Sequence, residues 1–170
     1  MIVVNLFGAP GAGKSTGAAY LFYQLKSKGY NVELITEFAK DCVWEENSMA
    51  LKHQPYIYGQ QSYRIARCKD KVDVLITDSP LMLCGFYGAT DALSKAILED
   101  FQSYDNMNFF INRVKPYNPK GRLQNEDESD RIKNKLLSFL QYYNIRYDTC
   151  NGNEQDYNLI LQLIENKIKE

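Results

Sequence analysis

Near the start of the chain, Gly8-Ala9-Pro10-Gly11-Ala12-Gly13-Lys14-Ser15-Thr16 fulfils the pattern G-x-x-x-x-G-K-[ST]. Glycines at this spacing let the backbone curl until successive N–H groups converge on a polyphosphate. The positive end of a following helix adds to the attraction. The residues expected to hold the nucleotide are Gly8, Gly11, Ala12, Gly13, Lys14, Ser15 and Thr16. Lys14 would reach the β- and γ-phosphates, and the Ser15 hydroxyl would bind Mg²⁺. A dinucleotide fingerprint fits less well, because Thr16 stands where the third glycine of G-x-G-x-x-G belongs. The predicted ligand is a nucleoside triphosphate, taken as ATP, with Mg²⁺.

Transfer of a phosphoryl group requires in-line positioning of two oxygens and neutralisation of the moving charge, so charged groups beyond Lys14 are expected. Asp78 ends the apolar run VDVLIT and is assigned to metal or base chemistry, alongside Ser15 as a Mg²⁺ ligand. Glu37 ends the run NVELIT, where a carboxylate can take a proton from an arriving hydroxyl. One of the two is the base. Residues 113–125 read as a lid whose basic groups are Arg113, Lys115, Lys120 and Arg122, with Pro116, Pro119 and Gly121 opposing a regular helix. Arg122 is the first choice for the catalytic arginine and Arg113 the second, with Arg131 next along the chain. Farther back, Tyr56, Gln60, Arg64 and Arg67 recur at helical spacing as a polar stripe. A glutamine amide can pair with a base edge and an arginine can hold a phosphate, which makes this stripe the expected acceptor site. Trp44 and Tyr63 are candidates to stack on a base; His53 and the four cysteines read as structural.

These residues need a scaffold that brings strand ends together. Ile2–Phe7 is an apolar run of strand length, and Ala18, Leu21, Phe22 and Leu25 then mark one face of a helix that stops at Gly29. Strands are expected at Asn31–Thr36, Val72–Thr77, Met107–Asn112 and Asn144–Thr149. Helices are expected over Pro55–Lys69 and Ala92–Tyr104, from about Ile132 to Tyr143, and through Leu159, Leu163 and Ile168. The acids Glu126, Asp127, Glu128 and Asp130 favour the start of the helix that follows the lid. Alternating strands and helices predict parallel βαβ units, whose ligands sit beyond the carboxyl ends of the strands.

At 170 residues the chain matches a single domain over 1–170. Hydrophobic residues at 45% and charged residues at 24% exclude a disordered or collagen-like chain. A formal net charge of −1 argues against sequence-blind coating of nucleic acid. Cys42, Cys68, Cys84 and Cys150 form no C-x-x-C pair and His53 is the only histidine, which excludes a zinc ribbon. No apolar stretch approaches a membrane span, so the expected location is the cytoplasm, with no membrane partner. A GTPase is disfavoured because D-x-x-G and N-K-x-D are absent, and AAA+ motors are set aside because they need a longer chain. What remains is the order of a small kinase: phosphate loop, acid after the second strand, acid after the third, arginine-bearing loop after the fourth.

The phosphate loop, ELITEFAKDCVW, YGQQSYRIARC, VDVLITDSP and RVKPYNPKGRLQNEDESDRI together resemble the small P-loop kinases related to nicotinamide riboside kinase domains and deoxynucleoside kinases. Similar small ATPases or kinases are common in large phages, which would place the protein in a host cytoplasm. The resemblance implies an α/β fold, a three-layer P-loop NTPase with a five-stranded parallel sheet in order 2-3-1-4-5. It also implies phosphoryl transfer from ATP to a hydroxyl or phosphate acceptor. The deoxynucleoside kinases carry a glutamate base after the second strand, matching Glu37; their acid–arginine pair after the third strand is here Asp78-Ser79-Pro80. The expected acceptor is a small molecule, a nucleoside, nucleotide or related metabolite. A polynucleotide end or a hydroxymethylated DNA base, and a regulatory ATPase with no acceptor, are the alternatives. Oligomeric state stays open.

Overall fold

The computed structural model describes residues 1–118 and 124–170. Strand β1 (Ile2–Phe7) leads into α1 (Lys14–Ser27), and β2 (Val32–Ile35) is followed by α2 (Phe38–Trp44), α3 (Ser48–Lys52) and α4 (Gln54–Ala66). Strand β3 (Val74–Thr77) precedes α5 (Leu81–Phe86) and α6 (Asp91–Gln102). Then come β4 (Asp105–Asn112), α7 (Glu126–Tyr142), β5 (Asp148–Asn151) and α8 (Glu154–Lys169). The strands form one five-stranded sheet in the order β2-β3-β1-β4-β5, and every pairing is parallel. The fold is the expected α/β P-loop architecture.

Parallel strands covered on both faces must be apolar on both faces. Val3, Phe7, Leu75 and Phe110 pack with residues of α4 to α7, including Ile65, Met82, Ile97 and Leu140. Val4, Leu6, Ile76 and Phe109 point the other way, against Leu21 and Leu25 of α1 and Ile160 and Ile164 of α8. A fully buried large apolar side chain contributes about 1.5–3 kcal/mol. The central strand β1, with Val4, Leu6 and Phe7 fully buried, therefore anchors the loop after it far better than β5, which has no buried residue, would anchor its own.

Several boundaries move for identifiable reasons. The fifth strand begins at Asp148 rather than Asn144, because residues 143–145 end α7. Asn144 adopts φ 53°, its N–H donates to the Gln141 carbonyl, and the Ile145 N–H reaches back to the Leu140 carbonyl. That is a Schellman ending, which uses up the residues expected to start the strand. Short helices α2, α3 and α5 escape the sequence pattern: five to seven residues carry little periodicity, and Leu81–Gly85 of α5 is buried on every side. His53 is structural, as expected; it caps α4, with Nδ1 accepting from the Tyr56 N–H at 3.2 Å. The expected acidic start of α7 is a capping box between Asn125 and Glu128. Cys42, Cys68 and Cys84 are buried free thiols, while Cys150 is half-buried. Among the described residues no helix is long and apolar enough to cross a membrane.

Candidate functional site

The loop between β1 and α1 is set by which of its carbonyls the protein already satisfies. Lys14 Nζ donates to the Gly8 and Ala9 carbonyls at 2.9 and 3.2 Å. Ser129 of α7 donates to the Pro10 carbonyl at 2.7 Å, and the Tyr157 hydroxyl of α8 donates to the Gly13 carbonyl at 2.9 Å. With these carbonyls bound, the opposite edge of the loop and the positive end of α1 present themselves to an anion. Gly13 caps α1 with φ 106°, a conformation that side chains resist, and a Cβ there would lie 2.6 Å from the Tyr157 hydroxyl. Gly17, one turn into α1, lies so close to Tyr157 that a Cβ would meet its ring at 2.5 Å. The helix and the loop are thus seated on Tyr157.

A pocket of about 380 Å³ opens beside this loop. Gly11, Ala12, Gly13, Lys14, Ser15 and Thr16 form one end; Val43, Trp44, Leu51, Ile57 and Leu83 form an apolar wall at the other. Glu37 also lines it, at the N-cap of α2, with no hydrogen bond from its side chain to the helix it caps. Partial burial pushes the Glu37 carboxyl above its ordinary value. Lys14 opposes that shift and the Asp78 carboxylate adds to it. Cys84 is buried in the pocket lining, with its thiol pushed up to about 12 by burial and by the Glu37 charge, so it is not a nucleophile at neutral pH.

Asp78 follows β3, the strand beside β1. It is 4% exposed, and its Oδ1 is buried without a hydrogen-bond partner among the described residues. A buried carboxylate oxygen left unpaired is costly unless a cation or donor completes it, which fits Mg²⁺. The described residues contain no group of three or more His, Cys, Asp or Glu placed to hold a metal ion. Mg²⁺ bound through one or two protein oxygens and substrate phosphates needs no such cage.

The other candidates divide. Tyr56, Gln60, Arg64 and Arg67 do not line this pocket. Arg64 pairs with Asp41 at 2.8 Å and lies over the Phe38 ring, 4.9 Å from its centroid; Tyr56 meets the same ring edge-on. Arg67 is exposed at the end of α4. The α4 residues that line the pocket are Gln54 and Ile57; Gln61, on the same stripe of the helix, is buried behind them and donates to the Ser79 carbonyl at 3.2 Å. Gln61 sits four residues from both Ile57 and Ile65, so the apolar pattern already contained the signal that Gln61, not Gln60, turns inward. Trp44 lines the pocket and Tyr63 does not.

Arg113 is bound elsewhere: its guanidinium meets Asp130 at 2.6 Å and Glu126 at 3.2 Å, and lies over the Tyr117 ring. Arg131 Nε donates to the Asp127 carbonyl within α7. Arg122 and Lys120 fall outside the described residues, so the lid over 113–125 is described only in part; Gln124 at its far side lines the pocket. The loop supports Ser129, Tyr157 and Gly152 were not anticipated. They come from α7, α8 and the turn between β5 and α8, and no local pattern links them to residues 8–14.

A strand, a phosphate loop and a helix at the centre of a parallel 2-3-1-4-5 sheet define a nucleotide-binding protein of the P-loop NTPase type. A family model described as an AAA domain matches residues 3–156, and the chain belongs to that family. A short chain is therefore no bar to the AAA family: the match covers nearly all of a chain of only 170 residues. Comparison with curated proteins gives no match.

Proposed function

We propose that this protein is an ATP- and Mg²⁺-dependent phosphotransferase acting on a nucleoside, nucleotide or related small metabolite. The observation that carries the reading is the pairing, in one pocket, of the phosphate loop with a carboxylate and an apolar chamber beyond it. The first serves any ATPase; the third gives an acceptor ring a place to lie. In the chamber, Val43, Leu51, Ile57 and Leu83 offer a surface for a ring and Trp44 a face for stacking. Gln54 Oε1, buried without a hydrogen-bond partner among the described residues, would accept from a ring N–H.

Lys14 would neutralise the β- and γ-phosphates, and the loop and α1 N–H groups would fix the triphosphate. Ser15 and Asp78 would hold Mg²⁺, which when bound offsets phosphate charge. Glu37 would take the proton of the acceptor hydroxyl as that oxygen bonds to the γ-phosphorus and the bond to ADP breaks. With its carboxyl raised by burial, Glu37 is a stronger base than an exposed glutamate, and Lys14 favours its charged form. Arg122, or Arg113 released from Glu126 and Asp130, would supply the second positive charge.

Membership of the AAA domain family supports a second reading, NTP hydrolysis without an acceptor. Incubation with γ-labelled ATP and Mg²⁺ against nucleosides, nucleoside monophosphates, nicotinamide riboside and DNA separates the two. Label appearing on one small acceptor establishes the first reading. Label released only as inorganic phosphate, at a rate no acceptor changes, establishes the second. Transfer to DNA that falls steeply with salt would move the acceptor to a polynucleotide.

A further inference from the structure

Gln61 is 1% exposed and lies on the buried face of α4 between Ile57 and Ile65. A leucine would complete that apolar stripe without any polar cost. An amide buried there is costly if unpaired, so its partners decide its worth. Its Oε1 accepts from the Phe38 N–H at 3.0 Å, and its Nε2 donates to the Ser79 carbonyl at 3.2 Å and the Thr36 carbonyl at 3.4 Å. Thr36 and Phe38 flank Glu37; Ser79 follows Asp78. The ladder between β2 and β3 runs from Val32↔Val74 to Ile35↔Thr77 and ends there, just short of both acids. Beyond the last rung, the Gln61 side chain bridges the two strand ends.

We propose that Gln61 is a positioning residue: its amide ties the backbone carrying Glu37 to the backbone carrying Asp78 and so fixes the separation of the two carboxylates. Its side chain does not line the pocket. The role rests on the phosphotransferase reading for its catalytic consequence, but the tie itself is testable without turnover.

The experiment compares Gln61→Met, which keeps the volume and removes the amide, with wild type. Amide hydrogen exchange should accelerate at both residues 36–38 and residues 78–79, while the Val4 and Leu6 amides of β1 stay protected. Acceleration at only one of the two strand ends, or at neither, overturns the proposal. In kinetics, kcat should fall about tenfold or more with KM for ATP within about threefold, as expected when only transition-state geometry is lost. In a cycle with Glu37→Gln, the two losses should be far from additive, because Gln61 acts through Glu37. Additive losses, or a rise in KM for ATP matching the fall in kcat, mark a merely structural residue and overturn the proposal. Gln61→Asn keeps the amide but shortens its reach, and is used if the methionine variant does not fold. It should release at least the Asp78 end, and wild-type exchange at both ends would overturn the tie. A wild-type enzyme that phosphorylates no acceptor sinks the phosphotransferase reading alone, leaving exchange to decide the role of Gln61.

Discussion

Lys14 donates from its ammonium to two loop carbonyls, and a bound nucleotide would offer it anionic phosphate oxygens, a stronger partner than a neutral carbonyl. Lys14→Ala removes that gain. A charged hydrogen bond is worth about 1.5–3 kcal/mol, so Mg²⁺–ATP affinity measured by calorimetry should fall about 10- to 150-fold. Glu37 has a different balance. In the proposed role of general base it would contribute about 10²- to 10⁴-fold, so Glu37→Gln should cost that much in acceptor turnover while leaving ATP affinity close to wild type. It also carries a pH signature. The folded carboxyl lies above its ordinary value of 4.5, so the folded state holds the proton more tightly than the unfolded chain. The stability this confers is complete below about 4.5 and is lost as pH rises through the folded value. Glu37→Gln should therefore raise the melting temperature at pH 7, with the gain shrinking to nothing as pH falls below that point. An unchanged difference between pH 7 and pH 4 would show that burial does not shift this group.

Elements hold the phosphate loop from outside the motif. Helix α8 presents Tyr157 to the Gly13 carbonyl and to the face of Gly17. Gly17→Ala would gain about 1 kcal/mol of helix propensity. It also forces a Cβ to 2.5 Å from the Tyr157 ring. Overpacking of this kind costs about 1–3 kcal/mol, so the clash wins and the variant should melt lower. Nucleotide affinity should fall with it, because Tyr157 cannot move without releasing Gly13. Tyr157→Phe keeps the ring and loses only the hydrogen bond, about 0.5–1.5 kcal/mol by denaturant titration, and is the control that separates packing from polarity. The short elements after β2 matter differently. Helices α2 and α3 with the start of α4 enclose the apolar chamber. Each is short and exposes large side chains, Trp44 at 66% and Met49 at 79%.

At the scale of the whole molecule, the loop follows a central strand with five of its six residues buried, whereas the chamber draws on the short helices α2 and α3, with one buried residue each. Ligand binding to the folded state alone adds about 2.7 kcal/mol at 100 times Kd. For a chain of this size that should raise the melting temperature by about 5–11 °C with Mg²⁺–ATP. A nucleotide that leaves the melting temperature unchanged at millimolar concentration would contradict the assigned site. The sequence by itself determined the phosphate loop, the flanking strand and helix, the parallel α/β class and the strand-end placement of Glu37 and Asp78. All of these are local: a motif of fixed spacing, a run of apolar residues, a helical period. The packing of α4 placed Gln54 in the pocket lining and Gln61 against the strand ends, while Gln60, Arg64 and Arg67 do not line the pocket. Tertiary structure also decided that Arg113 is taken by Glu126 and Asp130, and that Ser129 and Tyr157 brace a loop more than a hundred residues away. The physical reason is that a helix fixes which residues share a stripe, but only the packing of that helix on the sheet selects which stripe meets the strand ends.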